Sequence, residues 1–189
     1  MNVALKEWAL VCDLLVEGEQ IALLRKGGIH EPHRGAFAIE HDTFLLYPNA
    51  EHQSVEQVQG RYRDRLAGDP PVPRQDGEIV IPGYCRVTDV LPVSDPARVR
   101  ALEAHTCWTQ AFFDIRVAYK PERPNHLVLV RAYRFPTPLR LPYHKTYAGC
   151  RSWVLLRDGV DKSLMRDAAP ALDDASYEQR CQEVLSAVS

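Results

Sequence analysis

The 189-residue chain reads as an α+β domain, a mixed and mostly antiparallel curled sheet or small β-barrel with flanking helices. Three observations predict this. Short apolar runs bounded by Gly and Pro recur along the chain, and helical patterns fall at its start, middle and end. The strands do not alternate regularly with long helices, which disfavours a doubly wound parallel sheet. The pattern divides the chain into a single α+β domain over 1–160 and a helical extension over 161–189 packed on it.

Each element has its own reason. In VALKEWALVCDLLVEG (3–18), Leu5, Trp8, Ala9, Cys12 and Leu15 recur at helical spacing, which predicts a helix ending before Gly18. QIALLRK (20–26) is a short buried strand stopped by Gly27 and Gly28. AFAIEHDTFLLYP (36–48) is a strand or hairpin closed by Pro48. The polar EHQSVEQVQGRYRDRL (51–66) is helical, and the Pro-rich GDPPVPRQDG (68–77) is a loop. EIVIPGYCRVTDVLPV (78–93) alternates as two strands broken at Pro82–Gly83. SDPARVRALEAH (94–105) is a helix with Ser94 as N-cap and Pro96 in its first turn. NHLVLVRAYRF (125–135) and CRSWVLLRD (150–158) are further strands. Asp173 or Asp174 starts a last helix that runs through YEQRCQEVLSAV (177–188).

Composition narrows the function classes. Hydrophobic residues make up 46% and charged residues 25% of the chain, an ordinary globular balance that excludes disorder. Five cysteines (Cys12, Cys85, Cys107, Cys150, Cys181) are widely spaced with no C-x-x-C pair. That suits reduced thiols better than a disulfide framework or a zinc ribbon. The longest apolar run, WALVCDLLV, is too short to span a membrane and contains Asp13. The N-terminus lacks the pattern of a signal peptide. A cytoplasmic protein without a membrane partner is the expectation.

The net charge of −2 is unevenly spread. Residues 107–157 carry nine Lys/Arg against two Asp/Glu, and the segments on either side are acidic. Nine aromatic side chains are interleaved in the same 51 residues. Such a segment suits an anionic partner, since cations neutralise phosphates and aromatic faces stack unpaired bases. Alternation in 125–135 places Leu129, Arg131, Tyr133 and Phe135 on one face and Arg134 on the other. Arg116, Lys120, Arg131, Tyr133 and Arg134 are therefore candidate nucleic-acid contacts. The plainer reading makes the aromatics core and the cations a solvated rim.

LLRKGGIHE (23–31) is the second candidate. Its glycines allow positive φ and exposed N–H groups, Lys26 adds charge, and Glu31 can act as acid, base or ligand. The alternative is a simple Gly-Gly turn; no G-K-[ST] follows, so it is not a nucleotide phosphate loop. In the site-rim reading Lys26→Met is a surface change that costs little stability and weakens ligand binding. His30, His33, His41 and His52 fall close together with Glu31, Glu40 and Asp42, residue types that can hold a divalent metal. HEPH is too short and Pro-broken for the helical H-E-x-x-H signature. His52 is a candidate for proton transfer beside Glu31, with His41, Tyr47 and Gln53 as pocket residues. No cofactor is required. An Mg or Mn ion enters only with the alternative function, a metal-dependent nuclease using His41, His52 and Glu31 or Asp114.

The stretches ALKEWALVCDLLVEG, LLRKGGIHE, FLLYPNAEHQ and GCRSWVLL together resemble the bacterial DUF1802 family. That resemblance implies a grouping and no activity. A second one is to ASCH domains of the PUA-like superfamily, carried by Gly18 and Arg25 in VEGEQIALLRK and by GEIVIPGYCRVTDVLPV. Gln20 stands where that pattern usually has Lys. The resemblance implies a PUA-like barrel and RNA or modified-base recognition, with modified-nucleoside hydrolysis in a few members. The combined expectation is a nucleic-acid-binding module in which Lys26, Glu31, His41, Tyr47, His52 and Arg131 share one concave surface.

Overall fold

A computed structural model describes residues 1–26, 41–51, 53–66, 77–149 and 151–189. The start of the 36–48 stretch, nearly all of the Pro-rich loop, Glu31 and His52 lie outside the described residues. The chain forms an α+β fold built on one mixed sheet. Strand β1 (Val3–Trp8) leads directly into helix α1 (Ala9–Glu17), followed by β2 (Ala22–Arg25), β3 (Thr43–Asn49) and β4 (Glu78–Val93). After α2 (Pro96–Ala101) and α3 (Gln110–Ala118) come β5 (Asn125–Pro142), β6 (Trp153–Leu155), α4 (Lys162–Arg166), β7 (Ala169–Pro170) and α5 (Asp174–Ala187). The spatial order is β2-β5-β4-β3-β1-β6, with β7 added to β5. Every pair is antiparallel except β1 with β3.

The first element corrects the sequence reading. Residues 3–8 are a strand, because hydrogen-bonded neighbours are available on both sides: β3 along Ala4–Trp8 and β6 along Val3–Leu5. Pairing of this kind overrides a local helical period. The helix begins only at Ala9, and Leu10, Val11, Cys12, Leu14, Leu15 and Val16 are all buried. A helix apolar on nearly every side belongs inside a core; α1 packs against β1, β3, β4 and β5. It ends at Gly18, as the sequence predicts. Gly18 has φ 76°, and its N–H bonds back to Leu15 O, a left-handed C-cap.

Three further boundaries differ from expectation. The polar stretch over 51–66 is not an α-helix but two 3₁₀ turns, Val55–Gln57 and Gly60–Arg65. Residues 78–93 are one strand, bent instead of broken. The register slips so that the two steps from Ile81 to Gly83 face the five from Leu139 back to Arg134. Pro136 and Pro138 lie in that longer stretch, where a missing N–H is tolerated. The N-cap of α2 is Asp95, not Ser94: its carboxylate accepts from Ala97 N at 2.8 Å. Helix α3, within the basic segment, has no counterpart in the sequence reading. The last helix starts at Asp174 with Asp173 as its N-cap.

Both faces of the sheet are covered. On β1 and β3, Leu5, Phe44 and Leu46 join one core cluster while Ala4, Leu45 and Tyr47 join the other, the alternation a strand requires. The sheet also curls. Arg25, at the end of edge strand β2, donates from Nη2 to Lys6 O at 3.2 Å on β1, which lies four strands away in the pairing order. Its Nη1 is 3.4 Å from a Glu7 carboxylate oxygen. The curl therefore brings one edge strand to the far side of the sheet and leaves a seam between β1 and β2. Among the described residues no helix is long and apolar enough to cross a membrane.

Two consequences are testable. A Cβ on Gly83 would sit 2.1 Å from Tyr133 O, because the strands approach closely where the register slips. Gly83→Ala is expected to cost about 1–3 kcal/mol or more. Gly60→Ala, with nothing within 4 Å of the added carbon, should stay within about 0.5 kcal/mol. Urea denaturation of both variants measures this; equal stabilities would refute the close approach.

Burial pushes the Cys12, Cys85 and Cys107 thiols well above their ordinary range, with Glu7 adding to the shift at Cys12 and Cys107. The unfolded thiols ionise from about pH 8.5, while the folded ones stay protonated. Stability from this source is therefore intact below that pH and lost as pH rises, by up to about 1.4 kcal/mol per pH unit for each thiol. Cys85→Ala should flatten the decline in stability measured between pH 8 and 10, roughly by one thiol's share. An unchanged slope would show that Cys85 is not desolvated.

Candidate functional site

The seam gathers side chains from four parts of the chain. β1 ends in Glu7 and Trp8, β2 in Arg25 and Lys26, and α3 presents Phe112 and Arg116. The fourth part is a pair of short segments joined by the Val58–Trp108 bridge, with Thr109 N donating to Gln57 O at 2.9 Å. Between them lies a small cavity of about 40 Å³, lined among others by Glu7, Trp8, Gln57, Trp108 and Arg116.

Its wall is aromatic. Trp8 meets Trp108 edge to face at 4.8 Å between centroids, and Trp108 stacks on Phe112 at 4.1 Å with planes 6° apart. The Arg116 guanidinium sits 5.0 Å from the Phe112 centroid. The Arg116 side chain keeps some solvent contact, yet burial pushes its pKa down, and the neighbouring Arg25 pushes it further. The Arg116 guanidinium has no hydrogen bond or ion pair to a described residue; the Glu7 carboxylate, already held by Arg25, acts on it only from a distance and offsets part of the downward push. Arg25, by contrast, holds Glu7, whose other oxygen accepts from Trp8 N at 2.9 Å. Arg25 Nε is buried without a partner.

Two glutamines fix the wall. Gln20 is buried; its Nε2 donates to Ala22 O at 2.7 Å, and its Oε1 accepts from Cys107 N at 2.8 Å. Gln59 Nε2 lies within hydrogen-bond range of the carbonyls of Glu103, Thr106 and Trp108 at 2.8, 2.8 and 3.1 Å. Together they pin the segment that carries Trp108. A Lys at position 20 could not accept from Cys107 N, so Gln20 is here a structural residue.

The sequence-predicted contacts separate into two groups. Lys26, Arg116 and Lys120 converge on the C-terminal end of α3. Lys26 is buried, and its Nζ donates to Arg116 O at 2.9 Å and Val117 O at 3.4 Å. These carbonyls have no partner within the helix, so the cation caps it. Burial pushes the Lys26 pKa down. Lys120 follows the helix at φ 46°, with Nζ 5.0 Å from the Tyr119 ring centroid.

Arg131 and Tyr133 face the C-terminal segment instead. Arg131 pairs with Asp174 and stands 5.4 Å from the Tyr177 ring. Tyr133 stacks on Tyr84 at 4.7 Å and is in register with Pro170 of β7. Arg134 is exposed, with its backbone paired to Ala169.

The pocket candidates do not join the seam. His41 meets Trp153 edge to face at 5.4 Å. Tyr47 is buried in the other core cluster beneath Lys6 Nζ, 5.4 Å from its ring centroid, and burial pushes its hydroxyl pKa up. Gln53 Nε2 donates to Asn49 O at 3.1 Å and steadies its own loop. Lys26, Tyr47 and Arg131 thus occupy three separate settings, which corrects the single concave surface expected from sequence. No three His, Cys, Asp or Glu side chains gather as a metal site among the described residues. Asp114, one of the two acids offered for the nuclease alternative, is paired with Arg100 at 2.8 Å, and Glu31, the other, lies outside the described residues.

Sequence reasoning missed Glu7, Trp8 and Gln57. Reading residues 3–17 as one helix put Trp8 on a core face and hid the exit of β1. The only sign was two charges, Lys6 and Glu7, interrupting the apolar run.

The curled α+β sheet places the chain in a structural class. The family follows from the sequence: the model of the domain of unknown function DUF1802 matches residues 4–183. The chain belongs to that family. Among solved structures, a crystal structure of a mutant ZmASCH protein from Zymomonas mobilis is similar at 10% sequence identity, covering 99% of this chain and 96% of that one with a TM-score of 0.41. No curated protein matches the chain.

The capping role of Lys26 also corrects the stability expected of its loss. Lys26→Met removes a buried charged donor from two part-buried carbonyls at the end of α3, so it is expected to cost about 1–2 kcal/mol instead of behaving as a surface change. Thermal or urea unfolding decides, and a cost within about 0.5 kcal/mol would mean the cap contributes nothing.

Proposed function

We propose that this protein is a nucleic-acid-binding module, recognising RNA or a modified base, with the α3 end of the seam as its anion-receiving point. The observation that carries the reading is Arg116: a desolvated guanidinium against an aromatic wall, without an ion pair to any described carboxylate, since the nearby Glu7 is engaged by Arg25. Desolvated charges are ordinarily paired, since leaving one alone is costly. A phosphate would supply the missing partner, and the planar fork of Arg matches it with two parallel hydrogen bonds. Lys120 stands at the same helix end, and Arg25 keeps an unused Nε close by. Trp8, Trp108 and Phe112 provide the apolar side. The cavity itself is too small for a base, so the base stacks at its mouth.

The test uses fluorescence anisotropy of labelled single-stranded RNA and DNA across a salt series. Binding should weaken steeply with salt, with a log–log slope of about −0.7 for each phosphate neutralised. Arg116→Met should weaken it by roughly tenfold or more, equivalent to about 1.4 kcal/mol, and reduce the slope by about one contact's share. The same variant should be no less stable than wild type, because it removes a desolvated charge that has no ion pair. Absence of binding at low salt, or undiminished binding by Arg116→Met, would overturn the proposal.

A further inference from the structure

On the other side of the pinned 106–108 segment lies a second, larger cleft. It has a volume of about 250 Å³ and is bounded by the α1–β2 turn, the 3₁₀ turn Gly60–Arg65, the segment 104–106 and α5. Six side chains set its chemistry: Glu19, Arg61, Tyr62, His105, Arg180 and Glu183. Its floor includes Ile21 and Val184. None of these residues belongs to the seam.

The charges are nearly balanced by count, but they are not equally engaged. Glu19 already lies 3.8 Å from Arg65, and Glu183 accepts from Gln179 Nε2 at 2.9 Å. The cationic side has no such partners. Arg180 donates from Nη1 to Gly18 O at 2.6 Å, which anchors the guanidinium and leaves its other donors unused. The Arg61 guanidinium lies 4.7 Å from the Tyr62 ring centroid and has no hydrogen bond or ion pair among the described residues. Among the described residues neither arginine has a carboxylate within ion-pair distance, and the His105 side chain makes no hydrogen bond. Two guanidinium groups and an imidazole therefore border one concave space with spare donors, and its carboxylates are partly occupied.

We propose that this cleft is a binding site for a small phosphomonoester, separate from the nucleic-acid reading of the seam. Three donor groups from three different elements suit an anion with several oxygens better than a two-oxygen carboxylate. The volume leaves room beyond the phosphate for a small organic moiety, and Ile21 and Val184 give it an apolar contact. The chemistry recognises a phosphate group whether it is carried by a small molecule or by a polynucleotide, so the test must separate the two sources.

Glycerol phosphate, inorganic phosphate, acetate and a single-stranded oligonucleotide serve as probes in calorimetric and NMR titrations of the full chain. Glycerol phosphate should bind best of the three small probes, shifting resonances of Tyr62 and His105. Arg61→Met, which loses only a ring contact and should fold normally, should weaken that binding by at least about tenfold. Arg180→Met is the second variant, and Arg116→Met should leave glycerol phosphate binding unchanged.

Equal loss in Arg116→Met would place the ligand in the seam and overturn the proposal. Preference for acetate, or response to the oligonucleotide alone, would overturn it as well, the latter making the cleft part of a nucleic-acid track. No response to any small phosphate would also overturn it. Because the seam is tested with Arg116→Met and oligonucleotides, either proposal can fail while the other stands.

Discussion

The contact on which the rest of the molecule depends is the reach of Arg25 across the sheet to Glu7 and the Lys6 carbonyl. It joins strands that are far apart in the pairing order, so it exists only because the sheet curls. The curl has identifiable causes. The two longest strands, β4 and β5, pair along most of their length, and their register slips at two places. Slips of this kind raise local twist and bend the strand. Helix α1, buried on nearly every side, packs against four of the strands and gives the curled sheet its contents.

Once the sheet has curled, the ends of β1 and β2 share a wall with α3, and polar side chains hold the segments between. Gln20 and Gln59 fix the backbone around Trp108, and Lys26 closes the end of α3. Each is a polar group with its bonding capacity used on backbone, as burial requires. Arg116 stands apart because it has no such partner. The contrast is what the proposed site rests on: neighbouring polar groups are committed to structure, and the Arg116 guanidinium is not.

The basic segment shows the same division. Sequence gives it a large excess of positive charge, but the fold distributes that charge unevenly. Arg131 answers Asp174 of the acidic C-terminal segment, and Arg140 answers Glu78. A charge balance counts residues without knowing which are neutralised inside the chain, so Arg131 and Arg116 look equivalent in sequence and are opposite in the structure. Alternation along β5 correctly puts Arg131 and Tyr133 on one face. Which element covers that face depends on β7 and α5, more than 35 residues further along.

By itself the sequence determined the fold class, most strands, the Gly18 stop and the last helix, because these rest on short-range periodicity and on residues with special backbone preferences. It also carried the family membership, in stretches spread along the chain. It misjudged residues 3–8, where apolar spacing fits either a helix or a strand and pairing with β3 and β6 makes the choice. It passed over α3, whose helical pattern lies in a segment dominated by charge. Only the tertiary structure decided that Lys26 is a buried cap, that Tyr47 belongs to the core and that Glu7, Trp8 and Arg116 meet. A site of this kind is made by sheet curvature, which depends on pairings between distant residues that no local window contains.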